Sequence, residues 1–296
     1  MSKSKRARLD VQLIGHTVFI PPSKEAEDGN TEPIFWPDES NELPTALGHL
    51  RQFDGQALAE FAGRVCYQSF HRPSEATATN AGYLLNTIGK QKHWSIAEHG
   101  SVSFYFQGVS RSLTHELVRH RHFAFSQLSQ RYVGPDGLTF VVPPKVLEFF
   151  GSIVDEQIAE NGQPINRKTG EPGTREDVIL TLADEYAKQH FDGVSEAYGD
   201  WEKALRTQFP EAKTKVIREA SRAELPNATE AKLVMTGNYR SWAEFLVKRD
   251  SPAADAEIRR LAQEVGRQLA EHAPNIFGPE ARALWDDSAE HGEAQH

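Results

Sequence analysis

Residues 101–132 read SVSFYFQGVSRSLTHELVRHRHFAFSQLSQRY, and this stretch decides which fold the chain can adopt. Its first residues alternate between polar and apolar side chains, which predicts a strand over Ser101–Phe106. Residues 110–122 then follow helical spacing, with Leu113 and Leu117 on the apolar side. The stretch therefore predicts a strand that leads into a helix, followed by a concentration of charge.

The segments on the N-terminal side of this stretch favour one strand and two helices. The composition of Val11–Ile20 is typical of a strand. Helices are predicted over Ala57–Cys66 and Ala81–Gly89. Residues 21–43 contain many prolines and acidic residues, which predicts a loop or flap.

On the C-terminal side, one further strand is predicted over Leu138–Val142, and the pattern is helical almost throughout from Glu176. The predicted helices cover Glu176–Tyr198, Lys213–Leu225 and about Ala228–Lys248. Ser251 and Pro252 are suited to the N-cap and first turn of a last helix. Its apolar stripe consists of Ile258, Leu261, Ala262, Val265 and Leu269.

Strands that come early and helices that come late argue for the α+β class rather than for a doubly wound parallel sheet. We expect residues 1–8 to form a disordered basic tail and residues 9–279 to form a single catalytic domain. Residues 280–296 are acidic and unpatterned, so we expect them to form a loose tail.

The bulk composition limits the classes of function. The chain has 296 residues and a formal net charge of −9, so the cations around Arg119 are a local exception in an acidic molecule. This balance favours a small phosphorylated ligand in a pocket over a general nucleic-acid surface. The only cysteine is Cys66, which excludes an intramolecular disulfide and a four-cysteine zinc site. We expect a cytoplasmic protein, because no apolar run is long enough for a signal peptide or a membrane helix.

The segment from Arg119 to Tyr132 concentrates three arginines and two histidines among serine hydroxyls. If the helix ends near His122, helical spacing groups four side chains on one face and turns His120 and Arg121 elsewhere. That face consists of His115, Glu116, Arg119 and His122. Arginine matches phosphate oxygens in pairs, so the segment is typical of a phosphate site. The alternative to a phosphate site is a solvent-exposed helix face with incidental salt bridges.

Two sharper mechanisms fit the same segment less well. His115 and His120 resemble the zinc pattern H-E-x-x-H, but they are five positions apart, so a helix rotates them by about 140° and they cannot share one zinc. Ser126 and Ser129 are candidate nucleophiles, but no G-x-S-x-G elbow surrounds them.

Arg119, His120 and Arg121, followed by a gap of seven residues and Ser129, resemble the signature of flavin-dependent thymidylate synthases. The resemblance covers roughly Val11–Phe277 and is strongest to actinobacterial members. Other blocks that resemble the family are His93–His99, Arg222–Pro226, Gly237–Arg240 and Arg249.

The resemblance implies a central, mainly antiparallel sheet flanked by helices, in a homotetramer whose sites lie between subunits. It also implies that the chain methylates dUMP to dTMP, with methylenetetrahydrofolate as carbon donor and FAD as flavin, re-reduced by NADPH. By matching positions, FAD would contact Ser95, Arg119, His120, Arg121, Gln127, Asn238 and Arg240. The nucleotide would contact Glu116, Arg119, Gln127, Leu128, Ser129, Gln130, Arg131, Arg222 and Arg249. Arg249 matches the arginine that favours ionisation of the uracil ring.

Three positions qualify the resemblance. Glu244 stands where related sequences carry histidine, and a carboxylate beside a flavin diphosphate is unfavourable, so no FAD contact is carried over to it. Gln127 stands where many members have glutamate. Cys66 lies among apolar residues, so we expect a buried structural thiol and a reaction without a cysteine adduct. The alternative function is a phosphate-binding or nucleic-acid-binding protein that uses the Arg119–Arg131 cluster.

Overall fold

The computed structural model describes residues 5–20, 23–25, 31–33, 54–70, 74–134 and 137–286. Within these ranges the strands are β1 (Lys5–Arg6), β2 (Asp10–His16), β3 (Ser23–Glu25), β4 (Thr31–Pro33), β5 (Ser101–Ser110), β6 (Ala124–Gln127), β7 (Thr139–Phe140) and β8 (Glu230–Asn238). The helices are α1 (Asp54–Tyr67), α2 (Asn80–Leu84), α3 (Arg111–Leu117), α4 (Pro144–Asn161), α5 (Arg175–Gln208), α6 (Thr214–Ser221), α7 (Tyr239–Arg249), α8 (Ala256–His272), α9 (Pro274–Phe277) and α10 (Pro279–Trp285). A π-helical segment, Leu85–Lys90, continues α2. Among the described residues no helix is long and apolar enough to cross a membrane.

The central sheet has four strands in the order β2–β5–β8–β6, and every neighbouring pair is antiparallel. β5 pairs with β8 so that Phe104 lies opposite Met235. Strands and helices are mixed rather than arranged as a doubly wound parallel sheet, so the predicted α+β class with a mainly antiparallel sheet is confirmed. The predicted strand at Ser101–Phe106 is also confirmed, and it continues to Ser110.

The main core lies between one face of this sheet and helices α7 and α8. Phe104 and Met235 are fully buried, and the ring centroids of Phe104 and Trp242 are 5.0 Å apart. The apolar stripe predicted for the last long helix is buried as expected. Its N-cap is Asp255 and not Ser251, because the Asp255 side chain accepts a hydrogen bond from the backbone N–H of Glu257.

A second apolar cluster joins helix α5 to the segment around β7. Phe140 and Phe191 stack there with ring centroids 4.5 Å apart. Helix α4 packs along α5 and was not predicted. The predicted helix at Glu176–Tyr198 is confirmed, although α5 continues to Gln208.

The predicted helix over Ala228–Lys248 is wrong in its first half, which is the central strand β8, and is confirmed in its second half, which is helix α7. Alanine, leucine, lysine and methionine favour a helix locally, yet here Ala231, Leu233 and Met235 alternate into the core between two partner strands. Pairing on both sides overrides the local propensity. A helix begins only at Tyr239, where the side chain of Asn238 accepts the backbone N–H of Ser241.

The two predicted tails and the thiol also need correction. Within 1–8, Lys5 and Arg6 form β1, which pairs in parallel with β7 and is therefore not disordered. Within 280–296, α10 reaches Trp285, which is largely buried, so this part of the segment is not loose. Cys66 is exposed at the end of α1 rather than buried. Residues 1–4 and 287–296 and most of the predicted flap at 21–43 lie outside the described residues.

Candidate functional site

The site centres on Arg249, the last residue of α7. Its Nε donates a hydrogen bond to Nε2 of His120 at 2.9 Å, and its Nη1 donates to Oε2 of Glu116 at 3.0 Å. An arginine Nε can only donate, so the His120 ring must be neutral with its proton on Nδ1. Two side chains therefore hold the guanidinium in one orientation.

The electrostatics of the site agree with this assignment. Burial lowers the pKa of His120, and the nearby charges of Arg249, Lys248 and Arg119 add to this effect, so that the pKa is about 4. Burial also raises the pKa of the Glu116 carboxyl, while the charge of Arg249 opposes that shift. At neutral pH the imidazole is an acceptor that adds no charge beside the guanidinium.

A pocket of about 380 Å³ opens beside Arg249. Its lining residues are Arg119, His120, Arg121, His122, Phe123, Ser241, Glu244, Lys248 and Arg249. Four of these residues are arginine or lysine and one is glutamate, so the pocket suits a ligand that carries several negative charges.

The segment that lines this pocket was predicted to be helical, but it is a turn. Helix α3 ends at Leu117, and the turn through Arg119 and His122 leads into strand β6. The expected shared face of His115, Glu116, Arg119 and His122 is therefore wrong. His120 and Arg121, which were expected to point elsewhere, line the pocket together with Arg119 and His122.

Phe123 holds this turn against the core. Its ring centroid lies 4.6 Å from that of Trp242, and it packs over Gly237 of β8. A Cβ at position 237 would lie 2.4 Å from the Phe123 ring. Glycine at 237 therefore lets the aromatic ring approach the strand, and the ring fixes the turn that carries His120.

The other end of α3 is anchored from α8. Ser110 caps α3 by accepting the backbone N–H of Leu113. Both carboxylate oxygens of Glu257 accept hydrogen bonds from Ser110, at 2.8 Å from its backbone N–H and 2.7 Å from its hydroxyl. This anchor fixes the start of the helix that carries Glu116.

A chain of ion pairs lies beside the pocket. Arg240 Nη1 donates to Glu98 at 2.7 Å, and its Nε lies 3.4 Å from Glu244. Lys248 Nζ lies 4.0 Å from the same carboxylate of Glu244. Sequence reasoning missed Lys248, although its place directly before Arg249 and four residues after Glu244 is a signal for it.

An adjoining apolar pocket of about 190 Å³ shares residues with this ion-pair chain. Trp94 and Trp285 form its aromatic walls, with ring centroids 5.7 Å apart. Ser95 is exposed beside Trp94 on the short helix Trp94–Glu98. Asn238 caps α7 through its side-chain oxygen, which also accepts the Ser241 hydroxyl at 2.8 Å.

The remaining predicted ligands form a separate group. Gln127 Nε2 donates to the Thr114 hydroxyl at 3.4 Å, and Arg131 Nη1 donates to Glu219 at 3.0 Å. Arg222 is exposed just beyond α6, and its charge adds to that of Arg131 in lowering the pKa of Glu219. Leu128, Ser129 and Gln130 lie between Gln127 and Arg131. In the described part of the chain, no hydrogen bond or ion pair joins this group to Arg249.

Histidine, cysteine and carboxylate side chains do not gather into a metal centre in the described ranges, where no group of three or more could hold an ion. His115, the first residue of the zinc-like pattern, is exposed. Fold and site together define a protein with a four-stranded antiparallel sheet and a largely cationic pocket that suits anionic ligands.

Comparison with known proteins identifies the family to which the chain belongs. The model of the family described as thymidylate synthase complementing protein matches residues 50–275, which is more than half of the chain. The chain is 42% identical over 276 residues to the flavin-dependent thymidylate synthase of Mycobacterium tuberculosis strain H37Rv, covering 93% of this chain and 90% of that protein. It is 40% identical over 291 residues to the Mycobacterium marinum protein of the same name, covering 96% and 95%. The chain belongs to the flavin-dependent thymidylate synthase family.

A solved structure supports the fold. The crystal structure of a UMP/dUMP methylase from Streptomyces cacaoi, bound with 5-Br dUMP, aligns with a TM-score of 0.56 over 96% of this chain and 98% of that chain. Sequence identity in this alignment is 17%, so the likeness concerns the fold alone.

Proposed function

We propose that this chain methylates dUMP to dTMP, with methylenetetrahydrofolate as the carbon donor and NADPH as the source of reducing equivalents. In this reaction the methylene group of the folate is joined to C5 of uracil, and the C5 proton leaves. A hydride reduces the methylene group to methyl, so that tetrahydrofolate is released and NADPH is oxidised to NADP⁺. The observation that carries the proposal is Arg249, held by Glu116 and His120 at the mouth of a cationic pocket in a chain of this family.

The residues around the pocket suit FAD, which combines an anionic diphosphate with a flat apolar ring. Arg119, Arg121 and Lys248 supply cations for the diphosphate, and the neighbouring pocket walled by Trp94 and Trp285 supplies apolar surface. We assign the remaining cofactor contacts to Ser95, His120, Gln127, Asn238 and Arg240. Bound FAD, once reduced by NADPH, supplies the hydride.

The nucleotide is assigned to the second group of residues together with Arg249. Arg131 and Arg222 provide guanidinium groups for the phosphate, and the segment Gln127–Gln130 provides amide and hydroxyl groups for hydrogen bonds. Glu116 and Arg119 complete the set. Their roles rest on matching positions within the family and on the exposure of Arg222.

Arg249 is proposed to stabilise negative charge that develops on the uracil ring. Its position is set before any ligand binds, because Glu116 and His120 each accept one of its N–H groups. A fixed charge of this kind stabilises an anionic transition state without reorganisation. A neutral His120 adds no positive charge that would compete with the guanidinium.

We further propose that each site is shared between subunits of a homotetramer. The group that contains Arg131 and Arg222 is not bonded to the group around Arg249 in the described part of one chain. The pocket volume of about 380 Å³ is also near the low end of the range of about 300–1,000 Å³ that ligand pockets occupy. A second copy of the chain would bring the missing group to the pocket.

One pair of measurements tests the function. The absorbance spectrum of the native protein should show oxidised flavin that is bleached by NADPH. Tritium should be released from 5-tritiated dUMP only when methylenetetrahydrofolate and NADPH are both present. A colourless protein that cannot bind added FAD would contradict the proposal, and a steep loss of nucleic-acid affinity with salt would support the alternative.

A further inference from the structure

A second cavity, of about 220 Å³, lies where β1 and the segment after it meet helices α4, α5 and α8. It shares no lining residue with the pocket beside Arg249. Three arginines, Arg6, Arg8 and Arg260, are among its lining residues. Its apolar wall contains Val142, Leu147 and Leu180.

Arg6 is an unusual residue to find in this wall, because its side chain is only 7% exposed. Its Nε donates to Asp184 at 2.5 Å, but its Nη2 is buried and has no partner in the described part of the chain. A guanidinium carries five N–H donors, and a buried cation is costly unless these donors are satisfied. Arg6 therefore retains hydrogen-bonding capacity that its protein partners do not use.

The other two arginines of the cavity differ from Arg6, because no ion pair engages them in the described part of the chain. Arg8 and Arg260 are exposed, and neither forms an ion pair within 4.0 Å among the described residues. Glu176 and Glu257 line the same cavity, but both carboxylate oxygens of Glu257 already accept hydrogen bonds from Ser110. The cavity thus offers more free donors than free acceptors.

We propose that this cavity binds a small organic oxyanion, namely a carboxylate or a phosphate monoester on a compact apolar body. The arginine forks match the paired oxygens of either group. The apolar wall takes the body of the ligand, and the cavity volume limits that body to about the size of a single ring. The proposal does not depend on the proposed function, because none of the residues assigned to FAD or dUMP lines this cavity.

Binding here has a structural consequence. The cavity lies between the main core, which includes α8, and the second cluster formed by α5 and the β7 region. A ligand that contacts Arg6 on one side and Arg260 on the other joins these two parts of the fold. A ligand that binds only the folded protein raises its unfolding temperature.

The test is thermal unfolding and calorimetric titration of the full chain with phenyl phosphate and with benzoate, using benzamide as the neutral analogue and sodium chloride as the ionic-strength control. At least one of the two anions should raise the melting temperature in a saturable way, and whichever binds more tightly identifies the head group. Arg260→Gln, at an exposed position where misfolding is not expected, should weaken binding about tenfold, the loss expected for one charged hydrogen bond. Arg6→Gln should weaken it at least as much.

Two matched variants locate the effect. Arg267→Gln lies on the same helix outside the cavity and should leave binding unchanged. Arg249→Ala should also leave it unchanged. The proposal is overturned if neither anion gives a saturable shift, or if benzamide or sodium chloride gives the same shift. It is also overturned if Arg249→Ala abolishes binding while Arg260→Gln does not, because the anion then occupies the pocket beside Arg249.

Discussion

Arg249 donates from Nε to Nε2 of His120 at 2.9 Å, across 129 residues of sequence. The bond joins the end of α7 to the turn that follows α3, and it requires a neutral imidazole. Glu116 holds the same guanidinium from the other side. The orientation of the charge is therefore determined by the fold rather than by the ligand.

Arg249→Ala should lower turnover by about 10²–10³, the range expected when one preorganised donor to a developing anion is removed. FAD content should remain close to that of the unchanged protein, because other cations line the pocket. Tritium release from 5-tritiated dUMP measures the first quantity, and the flavin-to-protein absorbance ratio measures the second.

Arg249→Lys is the matched control, since it keeps the charge but cannot donate to Glu116 and His120 with the geometry of a guanidinium. We expect it to retain more activity than the alanine variant. Equal losses of turnover and FAD content in Arg249→Ala would show that the role of Arg249 is wrongly assigned.

The stability of the protein should fall as the pH decreases from about 6.5 to about 4, because the pKa of His120 is lowered to about 4 in the fold. Between these values the unfolded chain takes up a proton that the folded chain does not. Above about pH 6.5 both states are neutral at this position, and the contribution is fully present. Denaturant unfolding at about pH 7 and about pH 5 measures the difference.

His120→Gln provides the comparison, since an amide oxygen can still accept the Arg249 N–H but does not titrate. Its loss of stability between the two pH values should be smaller than that of the unchanged protein. Other histidines, such as His272, contribute equally to both proteins and cancel. Identical pH dependence in the two proteins would argue against a depressed pKa at His120.

The sequence predicted the chemistry of the site better than its geometry. The Arg119–His120–Arg121 pattern identified residues that do line one pocket. The helix predicted through them was wrong because Phe123, Gly237 and Trp242 fix a turn there, and this packing involves residues more than 100 positions apart. Local spacing carries no information about such contacts. Strand β8 was missed for the same reason, because its pairing with β5 and β6 overrides helix-forming residues.

Glu244→Gln should increase the affinity for FAD about twofold to fivefold, the scale of a partly exposed charge interaction. The Glu244 carboxylate pairs with both Arg240 and Lys248. It therefore neutralises positive charge that would otherwise be available to the FAD diphosphate. Glutamine keeps the size of the side chain and removes its charge. Fluorescence titration of the flavin-free protein with FAD measures the affinity.

Glu264→Gln is the control for this change, because Glu264 also pairs with an arginine on a helix but lies outside the pocket. It should leave FAD affinity unchanged. Weaker binding in Glu244→Gln would mean that Glu244 contacts the cofactor directly instead of competing with it.

Cys66→Ala should retain full turnover, because we propose a reaction without a cysteine adduct. Cys66 is exposed in the last turn of α1, and alanine is a good helix former there. Tritium release and FAD content should both match the unchanged protein. Loss of turnover in a folded, FAD-containing variant would require a covalent role for this thiol.

Gly237→Ala should destabilise the protein by about 1–3 kcal/mol, the cost of overpacking a filled core. The added Cβ would lie 2.4 Å from the Phe123 ring, which must then move away from β8. Because Phe123 directly follows the turn that carries His120, FAD affinity should fall together with stability. Gly193→Ala is the matched control, since a Cβ there meets nothing within 4 Å and lies within helix α5. That change should stabilise the helix by about 0.5–1 kcal/mol and leave FAD binding unchanged.

If Gly237→Ala lost stability but bound FAD normally, the Phe123 ring would support the core without positioning the pocket.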